Sequence, residues 1–180
     1  MALFKNKYRI ESARLKGWDY SGAGWYFVTL CTRGRECFFG DVVDGEMRLS
    51  SIGEIVADEW QRTPTIHPNI ALDEWIVMPN HLHGIIVITY RVETPRRGVS
   101  TTRQQPSRLQ SNSLGSIIGQ IKSVCTKRIH AGGCREFEWQ ERFHDEIIRD
   151  ERAMHNIREY IIDNPAEWQV DKENPPGLWM

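Results

Sequence analysis

Two histidines separated by one residue, His81 and His83, stand at the start of a strongly apolar run. In a β-strand, residues two apart project from the same face, about 6.5 to 7 Å apart along the backbone. Two imidazoles placed in this way can reach one metal ion, while Leu82 enters the opposite face and Gly84 leaves room beside the second histidine. Isolated pairs of this kind are more often exposed or hydrogen-bonded, but the position at the head of an apolar strand favours a metal site.

A tyrosine and an asparagine, Tyr160 and Asn164, lie four residues apart and therefore share one face of a predicted helix. A phenol has a pKa near 10, so it needs help to act as a nucleophile. A nearby metal ion would orient a phosphate and favour the phenolate, and an amide oxygen suits Mg²⁺ or Mn²⁺. Alternatively, Tyr160 is a core aromatic residue beside Ile157 and Ile161. Sequence spacing alone does not show that the helix and the histidine strand meet.

The elements that must position these residues follow from apolar periodicity and turn residues. Strands are predicted at residues 25–32, 70–77 and 81–90 and around Trp139 and 147–148, with a hairpin over 37–49. Helices are predicted at residues 50–62, 114–129 and 151–163. Pro64 and Pro68 are expected to end the first helix. The last is expected to stop near Asn164, because Pro165 follows, leaving an extended tail at about 165–180.

The order of these elements predicts one α+β domain over residues 1–180. Its antiparallel sheet would carry helices packed on one face, as in ferredoxin-like folds. Residues 91–112 are almost free of apolar side chains and rich in Ser, Thr, Gln, Pro and Arg. This composition predicts a flexible basic insertion and not a domain boundary, because neither flank is complete alone.

The charge is distributed unevenly, although the net charge is only −1. Residues 91–130 hold eight basic residues and one acidic residue, whereas residues 1–90 hold nine and eleven, and residues 131–180 hold six and twelve. A basic segment within a neutral chain is a plausible phosphate-contacting element. On charge alone, a solvated basic loop explains the pattern equally well.

Several classes of protein are disfavoured by composition. No run of 18 apolar residues is present, which argues against a membrane span, and residues 1–16 lack the hydrophobic core of a secretory signal. The four cysteines form no Cys-x-x-Cys pair, so free thiols in a reducing cytoplasm are expected. A zinc site of Cys125, His130 and Cys134 is not favoured, because their spacing fits no finger or ribbon pattern.

Stretches along most of the chain resemble one family. VMPNHLHGIIVI, residues 77–88, closely resembles the histidine–hydrophobic–histidine (HUH) motif of single-tyrosine transposases from the insertion-sequence group. WQERFHDEIIRDE at 139–151 and REYIIDNPAEW at 158–168 resemble the REP-associated branch, chromosomal relatives that act on palindromic repeats. Residues 9–40 are similar to that branch as well. The resemblance fails only across about residues 91–112.

This resemblance implies that His81 and His83 bind a divalent metal, Mg²⁺ or Mn²⁺, and that Tyr160 is the nucleophile. Asn164 would be a third ligand, standing where the mobile-element branch has glutamine. Tyr160 would attack a phosphodiester in single-stranded DNA, forming a 5′-phosphotyrosine link and freeing a 3′-hydroxyl, so that rejoining needs no ATP. If Asn164 misses the metal, three residues are alternatives: His144, Asp145 and Glu146.

The expected partner is single-stranded or hairpin DNA. Candidate phosphate contacts are Arg96, Arg97, Arg103 and Arg108 in the insertion and Lys122, Lys127 and Arg128 on a helix. Trp18, Tyr20 and Trp139 could stack on unpaired bases, although core packing is the expected role of Trp139. Three further histidines are expected at the surface or in hydrogen bonds: His67, His130 and His155.

Two other function classes stay open at this point. One is a relative that binds hairpin DNA without cutting it, and the other is a metalloenzyme that acts on a small molecule. The second predicts a closed pocket of about 300 Å³ or more around the metal. Both a monomer and a homodimer are compatible with the resemblance. The mobile-element branch is similar to domain pairs that exchange their tyrosine helices, whereas proteins of the REP-associated branch need not pair.

Overall fold

The computed structural model describes residue 15, residues 17–89 and residues 113–173, with backbone alone at 3–4, 8–9 and 169–173. The insertion at 91–112, with its four candidate arginines, and the end of the tail lie outside the described residues. Two short strands, β1 (Leu3–Phe4) and β2 (Tyr8–Arg9), pair near the start of the chain.

A four-stranded antiparallel sheet forms the centre of the molecule. Its strands are β3 (Gly24–Cys31), β6 (Ile70–Met78), β7 (His81–Ile88) and β8 (His144–Ile148), in the spatial order β6-β7-β3-β8. A hairpin of β4 (Gly40–Val43) and β5 (Glu46–Leu49) turns at Asp44 and Gly45, which both have positive φ, as the predicted turn requires.

Helices cover both faces of the sheet. The helices are α1 (Ser51–Gln61), the short α2 (Thr63–Ile66), α3 (Leu114–Ala131) and α4 (Glu151–Glu173). α1 and α3 bury Tyr26, Val28 and Leu82 of the sheet, whereas α4 packs against Phe27 and Ile85 on the other face. The predicted α+β antiparallel class is confirmed. The prediction of helices on one face holds for α1 and α3, while α4 lies on the face that carries the histidines.

Of the two predictions about proline, one is confirmed and one was wrong. Helix α1 ends at Gln61, before Pro64, which also stands in the first turn of α2, where its missing N–H costs nothing. Helix α4 does not stop before Pro165 but continues to Glu173. An interior proline removes one helical hydrogen bond. Packing beyond it offsets this cost, since Trp168 is buried and Ala166 lies against Gly45 of the hairpin turn. The tail predicted to be extended is therefore helical as far as residue 173.

None of the helices within the described ranges is both long enough and apolar enough to cross a membrane.

Gly84 leaves space on the face of the sheet opposite to the predicted one. A Cβ built on Gly84 would lie 2.3 Å from Cζ2 of Trp60, a fully buried residue of α1. The missing side chain therefore makes room for Trp60 in the main core and not for the imidazole of His83.

Gly84→Ala is expected to lower the free energy of unfolding by about 1–3 kcal/mol, because the tryptophan ring must move within a packed core. The matched control is Gly119→Ala on the exposed face of α3, where an added Cβ meets no atom within 4 Å. That change is expected to stabilise the protein by about 0.5–1 kcal/mol. Urea unfolding of the two variants checks both signs, and equal effects would contradict the packing described.

Candidate active site

Two buried imidazoles form the centre of the site. His81 and His83 project from the same face of β7, with ring centroids 4.4 Å apart and exposed fractions of 6% and 5%. In register, Thr29 of β3 lies beside His83, and its Oγ1 lies 2.9 Å from His83 Nδ1. The strand alternation expected from the sequence therefore holds at this pair.

The hydroxyl of Tyr160 lies 3.2 Å from Nε2 of His83 in the same chain. The Tyr160 ring packs edge-on against Phe27, and 36% of the residue is exposed. The Tyr160 residue is thus partly exposed, while its hydroxyl faces the buried His83. Helix α4 and strand β7 therefore meet in the fold, which the sequence spacing could not establish.

An ion pair fixes helix α4 over the sheet two residues before the tyrosine. Nε and Nη2 of Arg158 donate to Oδ1 and Oδ2 of Asp73 at 2.6 and 2.7 Å. Asp73 lies in the bulge of β6 between Leu72 and Trp75. The bidentate contact holds the pKa of Asp73 below its usual range and restricts rotation of α4 about its axis.

The stripe of α4 that starts at Tyr160 continues through Asn164 to Trp168. Asn164 is 1% exposed and lies near His81: burial lowers the pKa of His81, and the Asn164 amide offsets a part of that shift. However, neither amide atom of Asn164, nor Nε2 of His81, makes a hydrogen bond of normal geometry. Buried polar atoms are costly to leave unpaired, so these three atoms are candidate contacts for a bound group.

Trp168 was missed by the sequence reasoning, because the chain after Pro165 was predicted to be extended. Its ring lies 5.9 Å from that of His81 and closes one side of the site. The signal was present in the sequence, since residues 160, 164 and 168 repeat at the four-residue spacing of one helix face.

Both histidines are held in the neutral form. Burial lowers the pKa of His81 to about 3, with a further contribution from the charge of Arg35. Burial also lowers the pKa of His83 well below its usual range, helped by His81, Arg35 and His144. Neutral imidazoles are the form that binds metals.

Arg35 is a second residue that the sequence reasoning missed. It is exposed, follows Gly34 in a short 3₁₀ turn after β3, and has a positive φ of 58°. Its charge is felt by both histidines and by Cys31, so a cation stands at the edge of the site. No sequence pattern marked it, because its position depends on how the turn folds over the β6–β7 connection.

The depressed pKa values make the metal-free fold sensitive to acid. Below pH 6.5 the unfolded chain binds protons at these two residues while the folded chain does not, so stability falls as pH falls. Between pH 7.5 and 5.5 each histidine is expected to lower the free energy of unfolding by roughly 1 kcal/mol.

Urea unfolding with a chelator measures this dependence. The double variant His81→Gln, His83→Gln is expected to flatten it, while His155→Gln, at an exposed site paired with Glu159, is expected to leave it unchanged. A parent profile with the same slope as the double variant would contradict the neutral assignment.

The three alternative ligands lie on the edge strand β8. His144 pairs in register with Thr29 and shares the face of the histidine pair, as does the exposed Glu146, whereas Asp145 pairs with Val28 and faces the opposite way. Within the described ranges, no group of three or more His, Cys, Asp or Glu side chains could hold a metal. Which residue joins the histidine pair as a ligand, Asn164 or one of these three, stays a prediction.

The helical basic residues proposed to contact DNA differ in how they are engaged. Nζ of Lys122 donates to the Gln140 carbonyl at 2.7 Å, and burial lowers the pKa of Lys122 to about 8. The guanidinium of Arg128 is bound by Asp58 and Glu59 of α1. Lys127 is exposed. Lys127 is thus the best placed of the three to reach a phosphate, and a DNA contact by any of them stays a prediction.

The aromatic candidates lie away from the histidines. Trp18 is 40% exposed and its Nε1 donates to the Tyr26 hydroxyl at 3.2 Å, while Tyr20 packs against Tyr26. Trp139 packs between Phe39 and Phe137, as expected for a core residue. Base stacking on Trp18 or Tyr20 stays a prediction.

The cysteines and the other histidines have structural surroundings. No disulfide joins any of the four cysteines, and burial raises the pKa of Cys125 to about 12, which disfavours a zinc-binding thiolate. His67 and His130 lie in hydrogen bonds with Gln120 and the Phe137 carbonyl, and His155 is at the surface. Their predicted roles are confirmed.

A cleft of about 390 Å³ lies along β8 and is lined by Tyr20, Glu146 and Asp150, among others. The histidine pair and Tyr160 do not line it. It therefore gives no support to a small-molecule pocket around a metal.

No family model matches the chain. An uncharacterized protein of Haemophilus influenzae is 36% identical to it over 166 residues, which cover 90% of this chain and 91% of the relative. The chain belongs to the same family as this Haemophilus influenzae protein.

Among solved structures, a REP-associated tyrosine transposase bound to a REP hairpin has the same fold, with a TM-score of 0.58 and 20% identity. The match covers 88% of this chain and 74% of that one. A proposed transposase from Deinococcus radiodurans matches with a TM-score of 0.42 and 15% identity over 84% of this chain and 98% of its own, too low a score for argument. At these identities the comparison establishes the fold alone.

Proposed function

We propose that this protein is a transposase-like enzyme that cuts and rejoins single-stranded DNA beside hairpin-forming repeats. Tyr160 is the nucleophile, and His81, His83 and Asn164 hold Mg²⁺ or Mn²⁺. The observation that carries the proposal is the 3.2 Å separation of the Tyr160 hydroxyl from His83 in one chain, on a partly exposed surface. The solved structure of the same fold with a REP hairpin supports DNA as the substrate class.

The residues present fit a divalent metal. Nε2 of His81 and Oδ1 of Asn164 are buried without normal hydrogen bonds, and both imidazoles favour the neutral form. Two nitrogens and an amide oxygen are a donor set that accepts Mn²⁺ or Mg²⁺. When bound, such an ion orients the phosphate and stabilises charge on its oxygens.

The chain's own residues define the reaction. The phenol oxygen of Tyr160 forms a bond to phosphorus while the bond from phosphorus to the 3′ oxygen breaks, and the phenolic proton is balanced by protonation of that oxygen. The product is a 5′-phosphotyrosine link and a free 3′-hydroxyl. Attack by a 3′-hydroxyl on the link reverses the step, so the bond energy is kept and ATP is not consumed. Phe27 and the Arg158–Asp73 pair orient the tyrosine for attack.

Exposed cations provide contacts for the strand. The charge of Arg35 acts on both histidines, so Arg35 can neutralise a phosphate at the site. Lys127 is exposed on α3, which packs on the other face of the sheet, so it can contact only DNA that extends beyond the site. The tyrosine and the histidines meet within one chain, which supports a site that is complete in a monomer.

Labelled hairpin oligonucleotides with a single-stranded flank test this proposal directly. Incubation with Mn²⁺ is expected to give a complex that survives denaturation, and chelation with EDTA is expected to prevent it. Binding that weakens with salt but never gives a covalent complex would instead identify a hairpin-binding protein that does not cut.

A further inference from the structure

Asn80 is a buried residue at the turn between β6 and β7, directly before the first histidine. It is 9% exposed, and its backbone carbonyl accepts hydrogen bonds from the Thr32 N–H at 2.9 Å and the Thr32 hydroxyl at 3.1 Å. The residue is therefore fixed to the end of β3 by its main chain, which leaves its side chain to make separate contacts.

The side-chain amide of Asn80 makes two contacts that define its orientation. Nδ2 donates to the carbonyl of Arg35 at 3.1 Å. Oδ1 then faces Nδ1 of His81 at 2.7 Å. A carbonyl oxygen can only accept, so Nδ1 of His81 must carry the proton in this contact. In the neutral ring, the lone pair then lies on Nε2.

The partner of His83 does not impose the same choice. Its Nδ1 lies 2.9 Å from the Thr29 hydroxyl, which can either donate or accept. Asn80 is thus the contact that decides a tautomer in this site. The nitrogen it leaves unprotonated, Nε2 of His81, is the buried atom that lacks a normal hydrogen bond near Asn164.

We propose that Asn80 is a positioning residue: it holds His81 in the Nδ1–H tautomer and thereby presents the Nε2 lone pair to the metal. The inference rests on the proposed metal site, although the tautomer is a property of the metal-free protein. The same amide joins His81 to the left-handed Arg35 turn, so the cation at the edge of the site and the ligand are positioned together. Partners of this kind orient ligating histidines in many metal sites.

Nitrogen-15 NMR of the histidine rings in metal-free protein is the first test. In the parent protein, Nδ1 of His81 is expected to be protonated and Nε2 unprotonated at pH 7.5. Asn80→Asp keeps an acceptor for Nδ1–H and is expected to keep this tautomer. Asn80→Ala removes the acceptor and is expected to shift His81 towards the Nε2–H form. A parent protein with Nε2–H at His81 overturns the inference without any variant.

Binding of Mn²⁺ alone, measured by calorimetry without DNA, is the second test. Asn80→Ala is expected to weaken binding about 10- to 100-fold, while Asn80→Asp retains it within a few-fold. The matched control is Asn69→Ala, in the turn at the other end of β6, which is expected to leave both readouts unchanged. Unchanged affinity and tautomer in Asn80→Ala overturn the inference. The expected tautomer and metal binding without any covalent DNA complex instead overturn the proposed function.

Discussion

Tyr160→Phe is expected to reduce formation of the covalent DNA complex by at least about 1000-fold, because no other atom at this position can attack phosphorus. The variant retains the aromatic ring that packs against Phe27, so α4 should stay in place. Hairpin binding and the unfolding midpoint are therefore expected to be close to those of the parent. The measurement is the fraction of labelled oligonucleotide that remains attached to protein after denaturation with Mn²⁺ present.

The control for this experiment is another tyrosine. Tyr20 packs against Tyr26 away from the histidines, and its hydroxyl accepts a hydrogen bond from the Leu15 N–H. Tyr20→Phe is expected to cut as the parent does. If Tyr160→Phe forms the covalent complex at the parent's rate, Tyr160 is not the nucleophile, whatever its distance from His83.

Removing the histidine pair is the second large effect. His81→Ala and His83→Ala each delete one of the two imidazoles, and each is expected to slow cleavage by roughly 100-fold or more with loss of Mn²⁺ binding, because the donor set drops to two. The double variant is expected to be scarcely worse than either single change, since the residues act as one site. Initial cleavage rates over a range of Mn²⁺ concentrations give both the maximal rate and the affinity for Mn²⁺.

A histidine outside the site provides the comparison. His155 lies on the exposed side of α4 beside Glu159, and His155→Ala is expected to leave the rate and the metal dependence unchanged. Covalent complex formation by the double variant at parental rates in the same Mn²⁺ would mean that these histidines do not support the reaction.

Local sequence patterns correctly predicted which site residues share a face of one strand or one helix. Alternation along β7 correctly placed His81 and His83 on one face, and helical spacing correctly placed Tyr160 and Asn164 on one stripe. The same alternation contained the correct answer for Gly84, which has the parity of Leu82 and so faces Trp60 in the main core.

The remainder depends on tertiary contacts that local rules do not contain. Helix α4 passes through Pro165 because Trp168 and Ala166 pack beyond it, and that extension brings Trp168 onto His81. Arg35 reaches the site only because the turn after β3 folds against Asn80. Trp168 thus contacts His81 through its ring, and Arg35 acts on both histidines through its charge.

In the proposed mechanism, the groups that react and the groups that position them are different residues. Tyr160 is partly exposed, whereas the histidines and Asn164 are buried beneath it. Arg158 and Asn80 position these groups: Arg158 holds α4 on β6, and Asn80 contacts the imidazole of His81. A buried, neutral histidine pair under an accessible phenol is the arrangement from which all the expected effects follow.

Mass spectrometry of the covalent complex tests the central claim most directly. After nuclease and trypsin digestion, the nucleotide phosphate is expected on the peptide spanning residues 159–172, whose only tyrosine is Tyr160. Detection of the modified peptide at that residue would establish the phenol as the atom that attacks DNA. A nucleotide attached to any other residue, or no attached nucleotide after incubation with hairpin DNA and Mn²⁺, would contradict it.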